Sequence, residues 1–145
     1  MIVARRNPGH VTSVYDLRRS GLHVVIGDKS VPIGAYTRQI LDTLGLTVDV
    51  TKNVVSEETD VKGIVAKVAL GEADAGFVYV TDAKAAASKL RVVPLPKWAQ
   101  PPIRYELAVV KASSHGAAAR AFVKKVVSKR GRRLLLRAGF GVPKR

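Results

Sequence analysis

The sequence predicts an α/β fold, a mixed and mostly parallel sheet flanked by helices, built as a single domain over residues 1–145. Three observations carry that expectation. Apolar runs at residues 22–27 and 75–79 read as strands buried on both faces, as in a helix-covered sheet. Between them, residues 33–46 and 57–71 carry apolar side chains at helical spacing, closed by Gly45 and Gly71. A chain of 145 residues with 47% hydrophobic and 25% charged side chains has the size and composition of one globular domain rather than of a disordered segment.

The elements follow in order. Ile2-Val3-Ala4 reads as a short strand ending at the turn cluster Asn7-Pro8-Gly9. Residues 13–19 read as a short helix capped by Ser or Thr and closed by Gly21. After the strand at 22–27, a helix places Ala35, Tyr36, Ile40, Leu41 and Leu44 on its apolar side. Residues 46–55 read as a strand with a polar interruption at 49–52, and Glu57-Glu58-Thr59 begins a helix whose buried side is Val61, Ile64, Val65, Val68 and Leu70. The strand at 75–79, an Ala-rich helix opened by Thr81-Asp82-Ala83 and a strand at 90–95 come next. A Pro-punctuated loop with Trp98 leads to a strand at 104–110 and two closing helices. In the first of these Ala119, Phe122, Val123, Val126 and Val127 form one apolar stripe, with Arg120, Lys124, Lys125 and Lys129 facing away. The second carries Leu134-Leu135-Leu136 and stops at Gly139-Phe140-Gly141.

The net charge of +14 is unevenly placed: 14 Lys/Arg stand against 11 Asp/Glu up to Glu106, and 11 Lys/Arg stand against no acid from Leu107 onward. That block suits either a solvated helix face or attraction to nucleic acid or an anionic membrane surface. With no cysteine, a disulfide framework, a Cys-ligated metal and a thiol nucleophile are excluded. His10, His23 and His115 lack metal-ligand spacing, Ser113-Ser114-His115 has no nucleophile elbow, and Gly27-Asp28-Lys29-Ser30 lacks the spacing of a phosphate loop. No catalytic site is expected, nor a metal or cofactor. There is no apolar run of about 20 residues, and the first residues lack the regions of a signal peptide.

The stretch 27–36 turns from a strand end through Pro32 and Gly34 into an amphipathic helix. The first donors of a helix lack intrahelical partners and its dipole is positive there, so the N–H groups of Ile33, Gly34 and Ala35 form a candidate seat for an anion. A second helix start, with Thr59 as the expected N-cap, frees the N–H of Val61. Tyr79 closes a central strand, where open α/β sheets place their ligands, and its hydroxyl can donate to an oxyanion. The ordinary alternatives are a capped turn with water on its donors and a tyrosine with a structural hydrogen bond. Taken together, the three segments offer neutral donors to one tetrahedral oxyanion, leaving Lys29 and Lys62 to steer rather than ligate.

At these residues the chain resembles the molybdate-binding proteins that serve ABC importers, a family of the type II periplasmic-binding-protein fold. That family typically shows Gly-Asp-Pro-x-x-Val-Pro-Ala-Gly-x-Tyr, a Val-Arg-x-Ala-Leu helix start, Gly-Glu-Ala-Asp-Ala-Gly-Ile-Val-Tyr-x-Thr-Asp-Ala, a Tyr-Pro-Val-Ala-Val-Val-Lys return strand and a terminal Gly-Phe. The corresponding residues here are 27–36, 61–65, 71–83, 105–111 and 139–140. The resemblance covers the second lobe and the C-terminal helices, so residues 1–145 are expected to be a single lobe of that fold. It implies oxyanion contacts from the N–H of Ile33, the N–H of Val61 and the hydroxyl of Tyr79. Ile33 replaces a usual Ala, whose added bulk is expected to narrow or tilt the site, and Glu106-Leu107 replaces Pro-Val away from the ligand.

The expected function is therefore that of a partial, one-lobe substrate-binding component of an ABC importer for molybdate or a similar tetrahedral oxyanion such as tungstate, and not of an enzyme. Its implied partners are the oxyanion, an ABC permease, and a first lobe or a second copy of the chain to complete the cleft. The resemblance places it in the periplasm or at the cell surface, although no signal peptide is read in the chain. The family's first lobe is expected to precede Met1, and without it the stripe at Phe122, Val123 and Val126 lacks its usual cover. The alternative is a basic module that binds nucleic acid or an anionic surface through the C-terminal block; no nucleic-acid motif is present among its residues, so no nucleic-acid partner is expected.

Overall fold

The apolar runs become strands of one five-stranded sheet in the computed structural model, which describes residues 1–141. The strands are β1 (Ile2–Ala4), β2 (Val24–Gly27), β3 (Val54–Glu58), β4 (Ala75–Gly76) and β5 (Leu90–Val92), in the order β3-β2-β4-β1-β5. β2 pairs in parallel with both β3 and β4, while β1 pairs antiparallel with β4 and β5. Four strands thus run one way and β1 runs against them, so the sheet is mixed and mostly parallel. All four residues of β2 are buried, the pattern of a strand covered on both faces.

Alternation along the strands sorts their side chains into two cores. Val3, Val24, Ile26, Ala75 and Phe77 face one cluster, which Ile40 and Leu41 of α1 (Pro32–Thr43) and Val50 of α2 (Thr47–Thr51) cover. Ile2, Val25 and Leu90 face the other, covered by Ile64 and Val68 of α3 (Val61–Leu70) and Ala83 of α4 (Val80–Ala85). The chain leaves β2 through α1 to reach β3, then returns through α3 to β4 on the far side of β2. Two helices on opposite faces that both start beside β2 make this the switch point of the sheet, the place where α/β folds leave a crevice.

Several expectations shift by a few residues, each for a physical reason. The stretch 46–55 is not one strand: α2 occupies Thr47–Thr51 and β3 starts at Val54. Leu46 and Val50 are buried one helical turn apart while Val48 is 71% exposed, a helical pattern hidden by β-branched residues. Glu57 and Glu58 do not open a helix; they pair with Ile26 and Gly27 as the end of β3. α3 is capped by Asp60, not Thr59, because the Asp60 carboxylate accepts from the Gly63 N–H at 2.9 Å. The strand read at 75–79 is paired only over Ala75–Gly76, and that read at 90–95 only over Leu90–Val92. Residues 13–19 form a 3₁₀ turn at Val14–Arg18, capped by Ser13 as expected but closed at Arg19, two residues before Gly21.

These elements all lie in a first compact unit, Met1–Pro101; a second begins at Pro102. In the second unit residues 104–110 form no strand among the described residues, since a strand needs a ladder partner and none is paired there. Tyr105 instead meets Phe140 edge to face, with ring centroids 5.4 Å apart. α5 (Gly116–Val126) and α6 (Lys129–Ala138) pack as a hairpin, with Gly131 so close to the Val126 carbonyl that a side chain there would collide with it. Neither helix has a fully buried residue: in the expected apolar stripe Phe122 is 61% exposed while Val123 and Val126 are half-buried, and in α6 Leu134 is 56% exposed.

Two carboxylates tie the first unit and contribute to its acid sensitivity. Asp16 is held below its usual range first by the backbone N–H groups of Thr12 and Ser13, and Glu58 first by the Ser56 hydroxyl, then by the Lys67 ammonium at 3.0 Å. A depressed folded-state pKa adds stability above the unfolded value, and that stability is lost as pH falls through the folded value. On account of these carboxylates the melting temperature should fall as the pH drops below about 4, the ordinary carboxylate range. Thermal denaturation across pH should show a shallower acid slope in Asp16→Asn and Glu58→Gln than in the parent chain.

Candidate functional site

The turn between β2 and α1 is built by backbone approach. A Cβ on Gly34 would fall on the carbonyl oxygens of Asp28 and Gly27, and a Cβ on Gly27 would lie 2.6 Å from Cγ2 of Ile33. Only hydrogen at both positions lets the first turn of α1 fold over the end of β2. Gly34 thus makes room for the protein's own carbonyls rather than for a ligand. Asp28 shapes the same turn: its carboxylate accepts from the N–H and hydroxyl of Ser30, its N–H donates to the Glu58 carbonyl at 2.8 Å, and its carbonyl accepts from Val31. The Asp28 carboxyl is held below its usual range, chiefly by the Ser30 hydroxyl.

Of the three donors expected at the start of α1, two are used internally. The N–H groups of Gly34 and Ala35 both donate to the Val31 carbonyl, at 3.0 and 3.2 Å. That of Ile33 has no protein partner among the described residues, and the helix has no side-chain cap to compete for it. Pro32 at the first helical position brings no donor of its own. At α3 the Asp60 carboxylate takes the Gly63 N–H and leaves the Val61 N–H without a protein partner among the described residues. Tyr79 is the N-cap of α4, half-buried, with its carbonyl accepting from Asp82 and Ala83 at 3.1 Å each.

The three segments meet at one edge of the sheet. β2, β3 and β4 are parallel neighbours, so the turns that follow them all leave the carboxyl end, where Gly27 stands opposite Glu58 and Val25 opposite Gly76. Ile33 is 6% exposed and sits in the second core cluster, with Val61 and Tyr79 packed against the same cluster. α1 otherwise covers the opposite face, so its first turn reaches across the strand ends to join α3 and α4. The extra bulk of Ile33 relative to Ala is taken up by this core.

Sequence reading missed the side chains that fix this edge. Arg38, one turn after Gly34 in α1, donates through Nη1 to the Gly27 carbonyl at 2.8 Å and to the Gly34 carbonyl at 3.2 Å, and through Nη2 to Glu57 at 2.8 Å. On the other face Lys67 reaches Glu58 at 3.0 Å and Ser56 at 2.8 Å. Misreading Glu57 and Glu58 as helical concealed both contacts; as strand neighbours they point to opposite faces of the sheet.

With this geometry in place, the comparisons with known proteins are specific. The family model described as bacterial extracellular solute-binding protein matches residues 1–141. The molybdate-binding protein ModA of Mycobacterium tuberculosis is 43% identical over 143 residues, 99% of this chain and 53% of that protein. ModA of Haemophilus influenzae is 33% identical over 119 residues, 81% of this chain and 46% of its own. Among solved structures, the periplasmic molybdate-binding protein of Azotobacter vinelandii superposes with a TM-score of 0.75 at 25% identity, covering 99% of this chain and 64% of its own. The chain spans about half the length of the curated relatives it matches.

Two substitutions test the construction of the edge. Gly34→Ala should destabilise the chain by about 1–3 kcal/mol or more, since the collision is with backbone that cannot swing away. Asp60→Ala should cost about 1 kcal/mol as a lost cap. Urea denaturation should show a lowered midpoint with an unchanged slope in both.

Proposed function

The chain belongs to the bacterial extracellular solute-binding protein family, whose members bind a solute rather than turn it over, and from that premise we propose that it is a substrate-binding component of an ABC importer for molybdate or a similar tetrahedral oxyanion such as tungstate. In this reading the Ile33 N–H, the Val61 N–H and the Tyr79 hydroxyl hold one half of the oxyanion. What supports it is that two helix starts, each with an N–H lacking a protein partner among the described residues, follow parallel neighbouring strands at one carboxyl edge, with Ile33, Val61 and the α4 N-cap Tyr79 at one core cluster. The chemistry needs no cofactor and no resident metal; the metal in the oxyanion belongs to the cargo.

Backbone donors and a phenol suit this task physically. Aligned N–H groups at helix starts stabilise a dianion through many partial charges, and the size of the cage decides which anion fits. The other half of the cage is supplied by a first lobe or by a second copy of this chain, and release of the anion is to a membrane permease. That placement sets the protein to work outside the cytoplasmic membrane. The reading of the C-terminal block as a nucleic-acid or anionic-surface module finds no support in the relatives described above.

Thermal-shift and calorimetric titration with molybdate, with sulfate and phosphate as controls at fixed ionic strength, tests the proposal. An anion at about 100 times its Kd should raise the unfolding free energy by about 2.7 kcal/mol. Tyr79→Phe should weaken molybdate binding by about 10- to 150-fold, the loss of one charge-assisted hydrogen bond. Light scattering at micromolar chain should show a dimer if a second copy completes the cage. Equal response to all three anions, or none, would overturn the assignment.

A further inference from the structure

The two carboxylates that end β3 do different work on the two faces of the sheet. Glu57 receives Nη2 of Arg38 at 2.8 Å, and Nη1 of the same guanidinium holds the carbonyls of Gly27 and Gly34. One planar fork therefore joins the end of β2, the first turn of α1 and the end of β3. Glu58 receives Nζ of Lys67 at 3.0 Å and the Ser56 hydroxyl at 2.6 Å, and its other oxygen would lie 2.5 Å from a Cβ on Gly63, in the first turn of α3. A single strand end thus braces both helix starts, one through each of two consecutive residues.

We propose that Arg38–Glu57 and Lys67–Glu58 are positioning pairs that fix the separation of the Ile33 and Val61 donors and so set the size of anion accepted; this rests on the oxyanion reading above. Neither pair touches the anion. Ile33 lies one residue before Gly34, whose carbonyl Arg38 holds, and Val61 lies two residues before Gly63, against which Glu58 is seated. Loosening one brace lets its helix start drift relative to the other, and the cage then discriminates less between oxyanions of different radius.

Amide hydrogen exchange on the anion-free 145-residue chain reads the brace without any ligand. In Arg38→Met the amides of Gly34 and Ala35 should lose protection by about tenfold or more, as expected for a lost charged hydrogen bond, while those of Ile40 and Leu41 change little. Glu57→Gln, which keeps Arg38 on its two carbonyls, should give a weaker change at the same amides and serves if Arg38→Met fails to fold. Unchanged protection, or an even loss along the whole of α1, would overturn the positioning role.

The second readout is the ratio of molybdate to sulfate affinity. Both anions are divalent, so a lost positive charge weakens both alike and leaves the ratio untouched; a changed spacing alters it. The ratio should fall severalfold in Arg38→Met and in Lys67→Met. A constant ratio in a chain whose exchange has loosened would overturn the claim on selectivity. If the parent chain responds to neither anion, the oxyanion reading fails and with it the selectivity claim, while exchange still decides whether the braces exist.

Discussion

The contact on which the candidate site depends is the one between a helix start and a strand end with no side chain between them. Because neither Gly27 nor Gly34 carries a Cβ, the first turn of α1 lies directly on the carbonyls of Gly27 and Asp28. That closeness carries Ile33 over the strand ends into the core that α3 and α4 cover. A helix held further out would stay on its own face of the sheet, and Ile33 would not reach the core against which Val61 packs. Parallel pairing of β3, β2 and β4 does the rest, since it delivers three turns to one edge.

The fold class and the helix starts of the candidate site were legible because each leaves a strong local signal. β2 is a continuous apolar run, Pro32 marks a helix start, and the apolar spacing of Ile64 and Val68 survives intact in α3. What escaped was set by partners distant in sequence. Val48, Val54 and Val55 share a β-branched character, yet the buried Leu46 and Val50 turn the first part of that stretch into a helix. Glu57 and Glu58 have helical propensity, and pairing with β2 overrides it. The choice between Thr59 and Asp60 as cap depends on which side chain reaches an N–H, and that geometry is not written in composition.

The donors show a similar limit. From sequence, the N–H groups of Ile33, Gly34 and Ala35 are equivalent members of a helix start; in the structure the Val31 carbonyl takes two of them, at 3.0 and 3.2 Å. The resemblance had singled out Ile33, and hydrogen bonding gives the physical reason one donor stays available while its neighbours do not. The missed role of Arg38 has the same origin. An arginine on an amphipathic helix reads as a solvated charge until its fork is seen to span two carbonyls and a carboxylate.

The carboxylates that follow β2 and close β3 are engaged within the protein rather than left facing the edge. Asp28 is turned onto Ser30, Glu57 is held by Arg38, Glu58 by Lys67 and Asp60 by the Gly63 N–H. Four carboxylates that would repel an oxyanion are each engaged by a neighbour, and two of the nearby cations are spent on them. The remaining exposed lysines, Lys29 and Lys62, sit in water where a single charge is screened over about 8–10 Å. On the oxyanion reading proposed above, an arriving dianion would be drawn in by those charges without being told apart by them. On the same reading, discrimination would then fall to the fixed partial charges of the Ile33 and Val61 N–H groups, which act at contact distance and reward an anion of the right radius.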